Sequence, residues 1–171
     1  MKKWALIFFL TLTAHFSYSQ EMNQDWSEYE TKVINPNNQN YIYLGYTDGG
    51  KKIRLLYYFQ KAGKNVLAVN IGEKLVKELP IDSIDLFKLA ITNKAELKKV
   101  RDNLINNVPD FLAKGIVLKQ LGIRLKGLHC NHFLYTEPKL INEMPEGKLK
   151  KGLLLVNFFI EYLEKISQQD K

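Results

Sequence analysis

The only cysteine of this 171-residue chain and two of its three histidines fall on four consecutive positions, His129-Cys130-Asn131-His132. Imidazoles and a thiolate are the side chains that hold zinc. A thiol beside an imidazole is also a nucleophile with its base. Which chemistry is open depends on the element that carries them. Residues 127–135, GLHCNHFLY, follow an Ile123-x-Leu125 alternation and read as a strand. Successive side chains of a strand point to opposite faces, so His129 shares a face with Asn131, and His132 with Cys130. The two histidines then cannot share a metal. A bulge at Gly127 is expected to turn Leu128, Cys130, His132 and Leu134 inward, onto the face begun by Ile123 and Leu125. Cys130 there is a small buried hydrophobe. A Cys130–His132 pair sits on one face but has no third group to orient it, so the segment is read as structural. Neither a metal nor a cofactor is expected. A helical segment would reverse the argument by bringing His129 and His132 one turn apart.

Other reactive patterns are sparse. After the leader the serines are Ser27, Ser83 and Ser167, none in a Gly-x-Ser-x-Gly elbow. There is no phosphate-cradling glycine loop and no His-Glu-x-x-His pair. Asp82, Asp85, Glu137, Glu143 and Glu146 are carboxylates without a spacing that selects an acid and a base. Two carboxylates from distant loops can still meet in space. No catalytic residue is assigned, and a small envelope hydrolase using carboxylates or His129 and His132 stands as the alternative reading.

A recognition surface is more legible. Tyr41-Ile-Tyr-Leu-Gly-Tyr46 and Ile53-Arg-Leu-Leu-Tyr-Tyr-Phe59 flank Asp48-Gly49-Gly50, which is hairpin chemistry. Alternation places Ile42, Leu44 and Tyr46 on one face of the first strand and Tyr41 and Tyr43 on the other. On the second strand Ile53, Leu55, Tyr57 and Phe59 separate from Lys52, Arg54, Leu56 and Tyr58. Taking the first set of each strand as core leaves Tyr41, Tyr43, Arg54 and Tyr58 as a partner-binding face. Tyrosine rings with cations suit a protein, peptide or glycan, because tyrosine joins apolar area to a hydroxyl. A helix or the N-terminal arm covering these rings is the competing expectation.

The elements that must position these residues begin after a leader. Lys2 and Lys3 precede an apolar run from Trp4 to about Ala14, and Ser17 and Ser19 sit before Gln20 as a cleavage site. That order describes a secretory signal peptide over 1–19, with Gln20 as the mature N-terminus. A membrane span needs about 20 apolar residues, so no transmembrane span is expected in the mature chain. The location is then periplasmic or secreted. Cleavage leaves 152 residues, with 23 basic and 18 acidic side chains. A single cysteine permits no internal disulfide, which fits a bacterial periplasm better than an animal secretory route. Of the 25 basic residues only Arg54, Arg101 and Arg124 are arginine. Specific grip on phosphate or guanine leans on the guanidinium fork, so nucleic acid is not an expected partner.

Residues 20–40 form an irregular N-terminal arm, in which Trp26 and Tyr29 are placed to pin it to the body. Residues 41–171 form a single α+β domain, an antiparallel β-meander packed against two amphipathic helices. Lys61-Ala-Gly-Lys64 turns into a strand over 66–71, and 75–79 supplies a fourth. Residues 83–91 lean towards strand. Asn93 with Glu96 has capping-box spacing and opens a helix whose apolar face is Leu97, Val100, Leu104, Ile105 and Val108, ended or kinked by Pro109. Ile116–Leu118 reads as strand, and Pro138 to Pro145 as loop. A closing helix over 149–166 is apolar nearly all round at 153–160, the pattern of a centrally buried helix. The leading functional expectation is an exported non-enzymatic binding or inhibitory domain of a Gram-negative envelope, a class that includes immunity-type proteins.

Overall fold

A computed structural model describes Val33 and residues 40–47, 53–111 and 119–169. The leader, most of the arm, the Asp48-Gly49-Gly50 turn and the 116–118 segment lie outside the described residues. The chain folds as an α+β domain around one six-stranded antiparallel sheet. Its strands are β1 (Tyr41–Thr47), β2 (Ile53–Lys61), β3 (Lys64–Ile71), β4 (Lys74–Pro80), β5 (Gln120–Leu125) and β6 (Leu128–Leu134). The first four form the expected meander, and β5 returns beside β1, giving the order β4-β3-β2-β1-β5-β6. The described helices are α1 (Leu86–Thr92), α2 (Lys94–Phe111), α3 (Pro138–Glu143) and α4 (Lys148–Ser167).

Residues 83–91, expected as strand, instead hold the helix α1. The Asp85 carboxylate accepts from the Lys88 N–H at 3.1 Å, the bond of an N-cap. Leu86, Phe87 and Ala90 then fall on one buried side at helical spacing. Asn93 closes α1 rather than opening α2 with its side chain: its amide donates to the Leu89 carbonyl at 2.9 Å. The next helix runs on to Phe111, past Pro109, where a stop or kink was expected. Pro138 begins a short helix instead of a loop, because a proline at the first helical position lacks only an N–H that would have no intrahelical partner.

Helix α4 packs across α2 on one side of the sheet. Val156, Phe159, Ile160 and Leu163 of α4 meet Leu97 and Val100 of α2 over Ile42, Leu44, Leu56 and Phe133 of the sheet. The crossing is tight at Gly152, where an added Cβ would stand 2.5 Å from the Glu96 carbonyl oxygen. The central apolar run of α4 is not buried all round, as Leu154 and Phe158 remain exposed.

Both outer strands carry an extra residue. Opposite the Val69–Asn70 step of β3, β4 inserts Val76, because Val69 pairs with Lys77 and Asn70 with Leu75. Opposite Gly122, β6 inserts one residue at Asn131-His132, since Leu121 pairs with Phe133 and Ile123 with Cys130. Bulges bend an edge and interrupt the row of groups another strand would pair with.

Candidate binding surfaces

The four residues of the expected recognition face do not share a face. Ile42 pairs with Tyr58, Tyr43 with Tyr57 and Tyr46 with Arg54. Directly opposed residues project to the same side of a sheet, so Tyr58 and Arg54 join Ile42, Leu44 and Tyr46 on the side of the helices. Tyr41 and Tyr43 join Leu55, Tyr57 and Phe59 on the other. Alternation within each strand was read correctly, but its phase between strands depends on register, which the loop between them sets.

Tyr58 is wholly buried, with its ring 4.8 Å from that of Phe87. Its hydroxyl accepts the Leu86 N–H at 3.2 Å at the start of α1 and lies 3.5 Å from the Ile84 carbonyl. Burial pushes the phenol up to about 12 against the opposing pull of the Leu86 N–H. Tyr58 is therefore a core residue that seats α1, and its removal from any surface role is a direct consequence of register.

On the far side, Tyr41, Tyr43, Leu55, Tyr57 and Ala68 form a second buried cluster with Phe59 and Val33 against it. The Tyr57 and Phe59 rings stack at 4.9 Å, and Tyr41 lies 5.7 Å from Tyr57. Gly122, opposite Tyr43 on β5, leaves the space this ring occupies, and a methyl there would overlap it. Arg124, which was not singled out in the sequence, sits with its guanidinium 5.8 Å from the centre of the Tyr41 ring. An arginine over an aromatic face is a favourable cation–π arrangement.

The histidine–cysteine segment is the strand β6. Leu128 pairs with Leu125 and Cys130 with Ile123, so both turn towards the helices, and Cys130 packs half-buried against that core. His129 pairs with Arg124 on the opposite side and is exposed. The bulge lies at Asn131-His132 and not at Gly127, so Phe133 turns inward where Leu134 was expected. Gly127, at φ +75°, serves instead in the tight β5–β6 turn, whose Lys126 carbonyl accepts from Lys94 at 2.9 Å. The His132 side chain lies outside the described residues. Among the described residues no three histidines, cysteines or carboxylates gather where they could hold a metal ion.

Two of the carboxylates considered as acid and base are engaged in local bonds. Asp85 caps α1, and Glu146 pairs with Lys150 at 2.7 Å, a contact that lowers the Glu146 carboxyl. Two shallow depressions open on the described surface, one along Ile71, Lys74, Leu75 and Val76, the other between Ile91, Lys94, Leu125 and Leu128. Neither is lined by a carboxylate or a histidine.

Exposed large apolar side chains occur on β4 (Leu75, Val76), α1 (Ile91), α3 (Leu140) and α4, and on α4 they adjoin one another. Leu154 and Phe158 are 47% and 37% exposed and lie one turn apart. The Phe158 ring stacks on Tyr162 at 5.6 Å. Tyr162 is pinned by its hydroxyl at 2.7 Å from that of Ser83, and Tyr135 donates to Glu161 at 3.1 Å. Partial burial and then the Glu161 bond raise the Tyr135 phenol. Exposed Lys151 and Lys165 stand at the two ends of this stripe. The all-round apolar pattern at 153–160 pointed to central burial and did not single out this side.

Fold and surface together define an antiparallel sheet covered by helices on one side, with Leu154 and Phe158 exposed on its last helix. No protein-family model matches the chain, and neither curated proteins nor solved structures include a significant match. No helix among the described residues is long and apolar enough to cross a membrane.

Proposed function

We propose that this chain is an exported, non-enzymatic binding or inhibitory domain of a Gram-negative envelope, and that it takes a protein or peptide partner on the outer stripe of α4. The observation that carries this is the exposed pair Leu154 and Phe158, one turn apart, with Phe158 stacked on the half-buried Tyr162, on a helix whose opposite side is locked into the core. Aromatic and aliphatic side chains held rigidly at a surface lose little freedom on binding and supply the apolar centre of an interface. The bulges in β4 and β6 argue against the other common mode, addition of a partner strand to a sheet edge.

Affinity capture from the native envelope with the parent chain and with the double variant Leu154→Ser/Phe158→Ser tests the reading. Far-UV dichroism and a melting temperature matching the parent establish that the variant is folded. The parent should retain a stoichiometric partner, and the variant should bind it at least roughly 30-fold more weakly, the effect of losing about 2 kcal/mol at a hot spot. Equal binding by both proteins overturns the assignment to α4. Turnover of cell-wall, glycan or peptide substrates, abolished by one carboxylate substitution, overturns the binding reading itself. Intact mass should begin at Gln20, and a retained Met1 overturns export by cleavage.

A further inference from the structure

Helix α4 turns Val156 fully into the core. At about 100° per residue, the side of the helix opposite Val156 carries Lys151, Leu154, Phe158 and Glu161, and all four are exposed. Their spacing, three then four then three residues, is that of the a and d positions of a coiled-coil seam. Two of them are held in place. Phe158 stacks on Tyr162, and the Glu161 carboxylate accepts from the Tyr135 hydroxyl at 3.1 Å.

The order of the four residues makes this side complementary to itself. Leu154 and Phe158 lie two residues either side of Val156, and Lys151 and Glu161 lie five either side. Consider two such helices laid antiparallel, with a two-fold axis at the level of Val156. Leu154 of each then meets Phe158 of the other, and Lys151 of each meets Glu161 of the other. An apolar centre is flanked at both ends by opposite charges, and no like charges meet among the four. A two-fold interface requires one patch to fit its own copy. This patch does so in both apolar contact and charge.

We propose that the outer side of α4 pairs antiparallel with the same side of a second copy of this chain. The inference rests on the reading of α4 as an interface and names its partner. Three turns of helix bury little surface, at the low end of specific interfaces (under about 1,200 Å² in total). The dimer is accordingly weak, with a Kd of about 10–100 μM.

Sedimentation equilibrium of the purified protein across that range should show a concentration-dependent dimer. Lys151→Glu and Glu161→Lys each bring like charges together at both ends of the pair. Each variant alone should dimerise about tenfold more weakly than the parent. Mixed in equal amounts, the two variants regain opposite charges at both ends, and the mixture should dimerise like the parent. The double variant Lys151→Glu/Glu161→Lys should do the same. Both positions are exposed, and far-UV dichroism matching the parent establishes that each variant is folded. A parent that stays monomeric at about 1 mM overturns the proposal. So does a mixture no more dimeric than its components. A monomeric parent that still loses an envelope partner on Leu154→Ser/Phe158→Ser keeps α4 as an interface and removes the second copy as its partner.

Discussion

Asn157 is a polar residue in the middle of the apolar run of α4, only 5% exposed. Its Oδ1 accepts the Thr136 N–H at 3.0 Å and its Nδ2 donates to the Thr136 carbonyl at 2.5 Å. The amide thus supplies both partners of a backbone unit two residues past the end of β6. Asn157→Ala removes both bonds and leaves two half-buried backbone groups. Losing a partner in a buried setting costs about 1–3 kcal/mol per group, and Thr136 is half-buried, which favours the lower end. Alanine returns roughly 0.5 kcal/mol in helix propensity. The net loss should be about 1.5–2.5 kcal/mol in urea unfolding followed by far-UV dichroism, with an unchanged slope. Asn157→Asp separates this account from simple packing. Protonated, the new carboxyl has one acceptor and one donor and reproduces both bonds. Ionised, it turns lone pairs on the Thr136 carbonyl in a site closed to water. Its folded-state pKa is therefore raised above the ordinary value of about 3.9. Its stabilising contribution is present below that value and is lost as pH rises through the folded-state pKa. The variant should approach the parent near pH 4 and fall away from it by pH 7. An alanine cost under about 1 kcal/mol, or a parent–variant gap that ignores pH across that range, would refute the assignment.

Gly152→Ala should destabilise the fold by about 1–2 kcal/mol despite the better helix propensity of alanine, read as a lower melting temperature. The new methyl would press on the Glu96 backbone, which cannot rotate away as a side chain can, so the two helices must part. Tyr58→Phe should cost about 1–2 kcal/mol by leaving the buried Leu86 N–H without its acceptor. It should also flatten the alkaline limb of the stability profile. The Tyr58 phenol is raised to about 12 in the fold from 10.0 unfolded, so its contribution is whole below pH 10 and is lost as pH rises through 12. An alkaline limb identical in parent and variant contradicts that role.

The meander and the α2 and α4 helices were legible in the chain, because period-2 and period-3.6 patterns and turn residues act over a few neighbours. The two apolar faces of the first hairpin were legible in the same way, strand by strand. The β5–β6 hairpin, by contrast, reads as strand running through a bulge at Gly127, which is instead its turn. What the chain alone left undecided was how the faces combine. Tyr41 and Tyr43 were separated correctly from Ile42 and Leu44, but joining them to Arg54 and Tyr58 needed the register, and a shift by one residue exchanges the faces. Phe133 shows the same dependence, since one inserted residue at Asn131-His132 turns it inward in place of Leu134. Helix α1 was missed although Asp85 and Asn93 mark its ends, because a seven-residue apolar stretch has too few turns for its period to outweigh strand-like composition. The exposure of Leu154 and Phe158 was likewise beyond local pattern: eight nearly continuous apolar positions do not say which side meets the sheet. Sequence determined which elements form and which side chains each presents. Tertiary structure decided which presented sides meet and which remain exposed, because register and packing direction arise between elements distant in the chain.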